Sequence, residues 1–307
     1  MLYEFQVGTV DAGNELIGGV KSRLQWINQK GFVLNWELEP QPESGLEWIT
    51  FVLEGSNHDS VFKEDDICDV FRHQLSEALA EHIMQYCEDH VLKKEINRSI
   101  KKYLNLEKDA VYVKARDILN NCRSTESLNV LLRFGRKNRI SQRVLEHLRQ
   151  NRRILVDGFV TFCLQDYLTE IKYAAELALE ELKNEREYSE FVSLLRYFVD
   201  SQKPKINEVN LMVMGNGRFY LWDDSGTKVD EQYINYYLDE MLSNEVSLDD
   251  VLVSILITIS PRHIIMHNTG EQGASEPVLM IRNVFKERIS ECTGCPKCRP
   301  GFCEQHK

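Results

Sequence analysis

A mostly helical α+β fold is predicted by three features of the chain. Apolar and polar residues alternate over the first 56 residues and again after Pro204, the stretch between them carries helical spacing without a single proline, and cysteines crowd the C-terminal end. The expected organisation is a small N-terminal α+β lobe over 1–56 and a central helical block over 57–203, with a basic segment at 93–153. A C-terminal α+β domain over 204–307 comes last and ends in a cysteine knuckle.

In the lobe, Tyr3, Phe5 and Val7 stand at every second position and predict a strand. A helix is expected from Asn14 to Gln29. Phe32, Leu34, Trp36 and Leu38, interleaved with Asn35, Glu37 and Glu39, predict a second strand, and Ile49, Phe51 and Leu53 a third. Pro40, Pro42 and Gly45 mark the turn between these last two. So small a lobe buries too little surface to stand alone, and it is expected to pack on the helical block.

From Asp59 to Ser201 the pattern is helical throughout, with glycine only at Gly135 and Gly158. Leu168, Ile171, Ala175, Ala178 and Leu182 form one stripe, which Tyr188, Phe191, Leu195 and Phe198 continue beyond a charged stretch. One long helix or a helical hairpin fits. Breaks are expected at Asn121 to Ser124, at Phe134-Gly135 and at Asp157-Gly158.

Past Pro204, Ile206, Val209, Leu211 and Val213 face Phe219 and Leu221 across Gly215-Asn216-Gly217, which reads as a β-hairpin. Helices are expected around Glu231 to Leu242 and Leu248 to Ile259, the latter capped by Ser247. A strand over Ile264 to Met266 and a helix over Glu276 to Phe285 are expected next, and Arg288-Ile289-Ser290 leads into the tail.

The formal net charge of −11 argues against a polyanionic partner for the molecule as a whole. The charge is unevenly spread. Lys93 to Arg153 holds 17 basic against 6 acidic residues, which leaves 20 against 42 elsewhere. Such a division suits either a basic face presented to an acidic partner or attraction between layers of the same molecule. The opening Met-Leu-Tyr-Glu-Phe carries Glu4 where a signal peptide would be apolar, and the longest apolar run, Val251 to Ile259, is half a membrane span. A cytoplasmic protein without a membrane partner is expected, with its eight cysteines serving as thiols or metal ligands.

Cys292-x2-Cys295-x2-Cys298, followed by Cys303 and His306, is the most specific local signal. Gly294, Pro296, Pro300 and Gly301 supply tight turns that let thiolates converge. Three cysteines with either Cys303 or His306 suit a tetrahedral zinc ion. An iron–sulfur cluster is the rival, since ferredoxin-type runs share the first two steps of this spacing. Because all these ligands come from one short segment, a bound metal is expected to be structural.

A second feature is the run Arg133, Arg136, Lys137, Arg139, Arg143, Arg149, Arg152 and Arg153, interrupted only by the acid Glu146. With Val144, Leu145 and Leu148 turned inward on a helix, it offers a footprint for nucleic acid or an acidic protein. The other reading is that the arginine stems cover the core and their heads pair with acids of the same chain. His263 and His267 share one face of their strand. They are half of a metal or acid/base site at most, and satisfied surface histidines are the simpler reading.

No Gly-x4-Gly-Lys-Ser/Thr, Gly-x-Gly-x-x-Gly, His-Glu-x-x-His or Gly-x-Ser-x-Gly motif is present, and Asp65-Asp66, Asp223-Asp224 and Asp249-Asp250 read as turn or cap residues. No catalytic residue is assigned. The C-terminal half resembles the YtxC-like family of sporulation proteins from endospore-forming bacteria. The likeness rests on Asp157 to Tyr167, Leu194 to Asp200, Pro204 to Val209, Leu256 to Pro261, Ile264 to His267 and Cys292-x2-Cys295-x2-Cys298. It implies a cytoplasmic role around endospore formation and brings no reaction, substrate or catalytic residue. Taken together, these readings favour a non-enzymatic binding or regulatory protein with a structural metal. The alternative is a metal- or thiol-dependent enzyme, or a redox sensor, built on the cysteine cluster.

Overall fold

The computed structural model describes residues 2–10, 12–43, 45–55, 64–103, 106–120, 126–213, 219–229, 248–267 and 275–298. The fold is mostly helical α+β, and the chain divides into two compact units, Met1–Lys183 and Asn184–Lys307. Among the described residues no helix is long and apolar enough to cross a membrane.

In the first unit, β1 (Leu2–Thr9), β2 (Phe32–Gln41) and β3 (Leu46–Gly55) form an antiparallel sheet, and β4 (Arg153–Leu155) adds a parallel strand beside β1, in the order β2-β3-β1-β4. The alternation of the sequence becomes a two-faced sheet. Phe5 pairs with Phe51 and Val7 with Ile49, all buried on the core side, whereas Gln6 and Thr50 pair on the other face. β2 lies at the edge of the sheet, the position at which a strand tolerates a proline such as Pro40. α1 (Gly13–Leu24) covers the core face with Leu16, Ile17, Val20 and Leu24, and the amide of Gly13 at its start donates to Glu47 at 3.0 Å. A 3-10 stretch, Gln25–Lys30, carries the chain into β2.

The helices of this unit are α2 (Glu64–His82), α3 (Glu88–Ser99), α4 (Lys108–Asn120), α5 (Glu126–Gln150), α6 (Val156–Cys163) and the first part of α7 (Gln165–Ser201). α2 passes into α3 through a π-helical turn at Ile83–Cys87. Phe71, Leu75 and Leu79 of α2 and Ile140, Val144 and Leu148 of α5 join the sheet's apolar face in one core, and Ser76 and Ser141 meet at 3.1 Å where the two helices pack. Lobe and helices therefore share a single interior.

Two expectations for this stretch change. α5 runs through Phe134-Gly135 without a break, since a lone glycine lowers helix propensity by only about 1 kcal/mol and the burial of Arg136, Ile140 and Val144 in the turns that follow outweighs it. The block is also not wholly helical. Arg153–Leu155 pairs with Gln6 to Gly8, and three residues are too few for an alternating pattern to show in sequence. Of the two forms considered for the last stripe, the single long helix is observed in α7.

One glycine in this sheet is required by close approach. Gly55 has φ of 155°, and a Cβ there would sit 2.3 Å from the carbonyl oxygen of Gly31 and 2.8 Å from the Cα of Phe32. Gly55→Ala is expected to lower stability by about 1–3 kcal/mol, read as a shifted urea midpoint. An unchanged midpoint would show that the β2–β3 end relaxes freely.

In the second unit, β5 (Glu208–Val213), β6 (Phe219–Asp223), β7 (His263–His267) and β8 (Ile289–Glu291) make a sheet of order β6-β5-β7-β8, with β6 antiparallel and the others parallel. α8 (Leu248–Ile259) precedes β7, and α9 (Glu276–Phe285) bridges the parallel pair β7 and β8. Val209, Leu211, Ile264, Met266, Ile255, Leu256, Ile281 and Phe285 are buried together with Val192 and Val199 of α7. Arg288 ties this core's end together, donating to the carbonyls of Pro261 and Val199 and to Asp200. The hairpin turn at Gly215 to Gly217, the helix expected at Glu231 to Leu242, the cap residue Ser247 expected before Leu248, and the break at Asn121 to Ser124 lie outside the described residues.

Candidate metal centre

β5 lies between antiparallel β6 and parallel β7 and is buried along nearly its whole length. Asn210 is nevertheless polar, and it faces a second polar residue, His267 at the end of β7. The His267 ring is buried, with Nε2 2.9 Å from Asn210 Oδ1 and the Trp222 ring 5.1 Å away between centroids. The expectation of a surface histidine fails here. Parallel pairing of β5 with β7 draws His267 into the sheet, whereas His263, at the other end of β7, is half-buried and bonded to Ser290 at 2.9 Å.

β8 lies on the far side of β7, and the amide of Cys292 continues its ladder by donating to the Met266 carbonyl at 2.9 Å. The knuckle thereby begins next to His267. Gly294, at φ of 115°, turns the chain back, and the Cys298 amide closes the loop on the Cys295 carbonyl at 3.0 Å. His267 Nδ1 stands 3.4 Å from Cys298 Sγ and 3.5 Å from Cys295 Sγ, with 3.7 Å between the sulfurs of Cys295 and Cys298 and 3.8 Å between those of Cys298 and Cys292. All four ligand atoms lie within 4.8 Å of one another.

Those separations can be compared with a coordination sphere. Tetrahedral zinc with Zn–S of about 2.3 Å and Zn–N of about 2.0–2.1 Å requires sulfurs roughly 3.8 Å apart and nitrogen roughly 3.6 Å from each sulfur. The four distances just given fall close to these values, and with all four atoms inside 4.8 Å the group could hold one small ion on thiolate and imidazole ligands. Burial pushes the Cys298 thiol above its ordinary pKa, opposed by the Cys295 backbone hydrogen bond and reinforced by the Cys295 and Cys292 thiols. A cation in the centre opposes that rise by favouring thiolate. Cys292, Cys295 and Cys298 are thus brought together as the sequence spacing suggested, while Cys303 and His306 lie outside the described residues. The histidine that sequence reasoning set aside completes the group.

The basic segment has a different surrounding. Arg136 is buried, donating to Glu170 at 2.8 Å and to the Leu119 carbonyl at 3.0 Å, with Glu88 3.6 Å away. Lys137 reaches Glu77 at 2.9 Å and Glu81 at 2.6 Å. Burial alone would raise both carboxyls, yet hydrogen bonds from Lys137 hold them below their ordinary range. Arg139 pairs with Glu170 and Arg143 with Asp166, while the Arg153 guanidinium lies 3.9 Å over the Trp48 ring. Arg133, Arg149 and Arg152 are exposed. The open groove that Arg133 borders, of about 730 Å³, is also lined by Arg116, Lys137, Glu81, Glu88 and Asp89, so its charge is mixed.

Comparison with known proteins places the sequence in a family. The sequence model of the YtxC-like family matches residues 73–290. The chain belongs to the YtxC-like family. The family match takes in His267 and stops just before Cys292. The chain is similar to the "Uncharacterized protein YtxC" of Bacillus subtilis (strain 168), with 30% identity over 136 residues, 44% of this chain and 46% of that protein. The match therefore spans less than half of that YtxC-like relative. No solved structure matches the chain.

Proposed function

We propose that this chain is a non-enzymatic binding or regulatory protein whose C-terminal unit is locked by one structural zinc ion on Cys292, Cys295, Cys298 and His267. The observation that carries this reading is that four of the six separations among these ligand atoms are 3.4–3.8 Å, the spacing of ligands sharing a single tetrahedral ion, with all of them inside 4.8 Å. In an iron–sulfur cluster the protein ligands are divided over two or more irons, which spreads ligands on different irons further apart than those of one ion. Four protein ligands also close the sphere and leave no position for substrate or water, as in structural rather than catalytic zinc sites. That closure disfavours the alternative of a metal- or thiol-dependent enzyme or redox sensor.

The resemblance noted in sequence supports a setting around endospore formation, and reduced thiols suit the cytoplasm. For a nucleic acid or an acidic protein, Arg133, Arg149 and Arg152 are the contact points, since Arg136, Lys137, Arg139 and Arg143 are bonded to acids of their own chain. The test is elemental analysis with a visible spectrum on protein purified without oxygen. One zinc per chain and no colour are expected, and the count is expected to stay at one when Cys303→Ser and His306→Ala are combined. Iron with sulfide absorption, or loss of zinc in that double variant, would overturn the ligand set.

A further inference from the structure

Asn210 is the one polar side chain in a stretch of β5 otherwise occupied by Val209, Leu211, Met212 and Val213, all buried. A buried amide in such a strand must be matched by partners. Its two ends meet different groups: Oδ1 is 2.9 Å from His267 Nε2, and Nδ2 is 3.3 Å from Glu208 Oε1.

The identity of the Glu208 group decides the direction of every proton in this row. A carboxylate accepts and does not donate, so the amide end facing Glu208 must be the NH2. The carbonyl end then faces His267, and a carbonyl oxygen also only accepts, so Nε2 must carry the ring proton. Nδ1 is left with its lone pair, directed at the sulfurs of Cys295 and Cys298 at 3.5 and 3.4 Å. Trp222 packs beside the ring and limits its rotation.

We propose that Asn210 is a positioning residue for the metal, selecting Nδ1 of His267 as the fourth ligand, with Glu208 fixing the orientation of Asn210. This rests on the reading of the four residues as a zinc site. Partners on the far nitrogen of a ligating histidine set its tautomer and raise its basicity. The effect should therefore be visible in the ligand atom used and in affinity, without a change in stoichiometry.

The experiment uses the full chain loaded with zinc. Long-range proton–nitrogen correlation of the His267 ring should show the metal on Nδ1 and the proton on Nε2. In competition against a chromogenic chelator, Asn210→Leu is expected to weaken zinc by about 10- to 100-fold, whereas Asn210→Asp, which keeps the acceptor, should hold it near the wild-type value. Glu208→Gln, whose amide can donate as well as accept, should weaken zinc less than Asn210→Leu and broaden the ring signals as the row loses its fixed direction. Zinc bound through Nε2, or equal affinity in wild type and Asn210→Leu, overturns the inference and leaves the zinc site intact. A wild-type chain that binds no zinc overturns both. If Asn210→Leu does not fold, the ring assignment in the wild-type chain decides alone.

Discussion

Stripping the metal with a chelator is expected to unfold the segment beyond Glu291 and to lower the melting temperature of the second unit, leaving the transition of the first unit in place. The reason lies in what else holds that segment. Among the described residues the buried core of this unit ends at Phe285, with Ile289 packed against it at the margin, and Cys292, Cys295 and Cys298 are half-buried. The backbone bonds from Cys292 to Met266 and from Cys298 to Cys295 are a small return for ordering a loop at about 1–2 kcal/mol per residue. Structural zinc contributes an apparent 10–16 kcal/mol or so in short peptides at neutral pH, enough to reverse that balance. His267→Ala should reproduce the effect of the chelator, because it removes the ligand that ties the knuckle to β7. Acid should do the same. Metal holds the thiols below their unfolded pKa, so this stability is present at neutral pH and is lost as pH falls and protons displace the ion. Hydrogen exchange over 289–298 with and without chelator, alongside calorimetry, makes the check. Unchanged exchange after verified metal removal would mean that packing alone holds the knuckle.

The strands and the three cysteines were legible because their information is local. Phe5 and Val7, Phe51 and Leu53, and the Cys-x2-Cys steps each announce themselves within a few residues. What stayed hidden depends on pairing between distant segments. His267 joins the cysteines only because β8 docks in parallel on β7 and delivers Cys292 to the carbonyl of Met266. Neither its own neighbourhood nor the cysteine run records that register. A trace was present: Asn210 interrupts an apolar strand, and a buried amide needs a partner somewhere. The basic segment illustrates the same point. Its composition left two readings open, because Glu77, Glu81, Glu88 and Glu170 lie far in sequence from Arg136 and Lys137 and are brought to them only by the packing of α2, α3 and α7 against α5.

Replacing Arg136 by alanine is expected to destabilise the first unit by about 3–5 kcal/mol, the range for removing one partner of a buried ion pair. The guanidinium has only 7% of its side-chain surface exposed and Glu88 only 9%, so the carboxylate left behind cannot turn to water. Tyr167 donates its hydroxyl to the same Glu88 carboxylate at 2.6 Å, and burial together with that negative charge raises the phenol well above its ordinary pKa, which keeps it a donor. One neutral donor does not replace a cation. Arg136 also satisfies the Leu119 carbonyl at the C-terminal end of α4, so its loss orphans a backbone acceptor as well. Arg136→Lys should recover little, because a single ammonium cannot span Glu170, Glu88 and the Leu119 carbonyl at once. Arg136→Met combined with Glu88→Leu should recover a large part, since an apolar pair removes the unpaired charge. Arg139→Ala and Arg143→Ala, whose side chains are 69% and 55% exposed, should each change stability by less than about 1 kcal/mol. Urea unfolding of the five variants separates the readings of this segment. A graded loss that tracks burial makes Arg136 part of the interior that holds α3, α4, α5 and α7 together. Near-silent unfolding in all five, with Arg136→Ala, Arg139→Ala and Arg143→Ala instead abolishing salt-sensitive retention on a polyanion resin, would return the segment to a binding face.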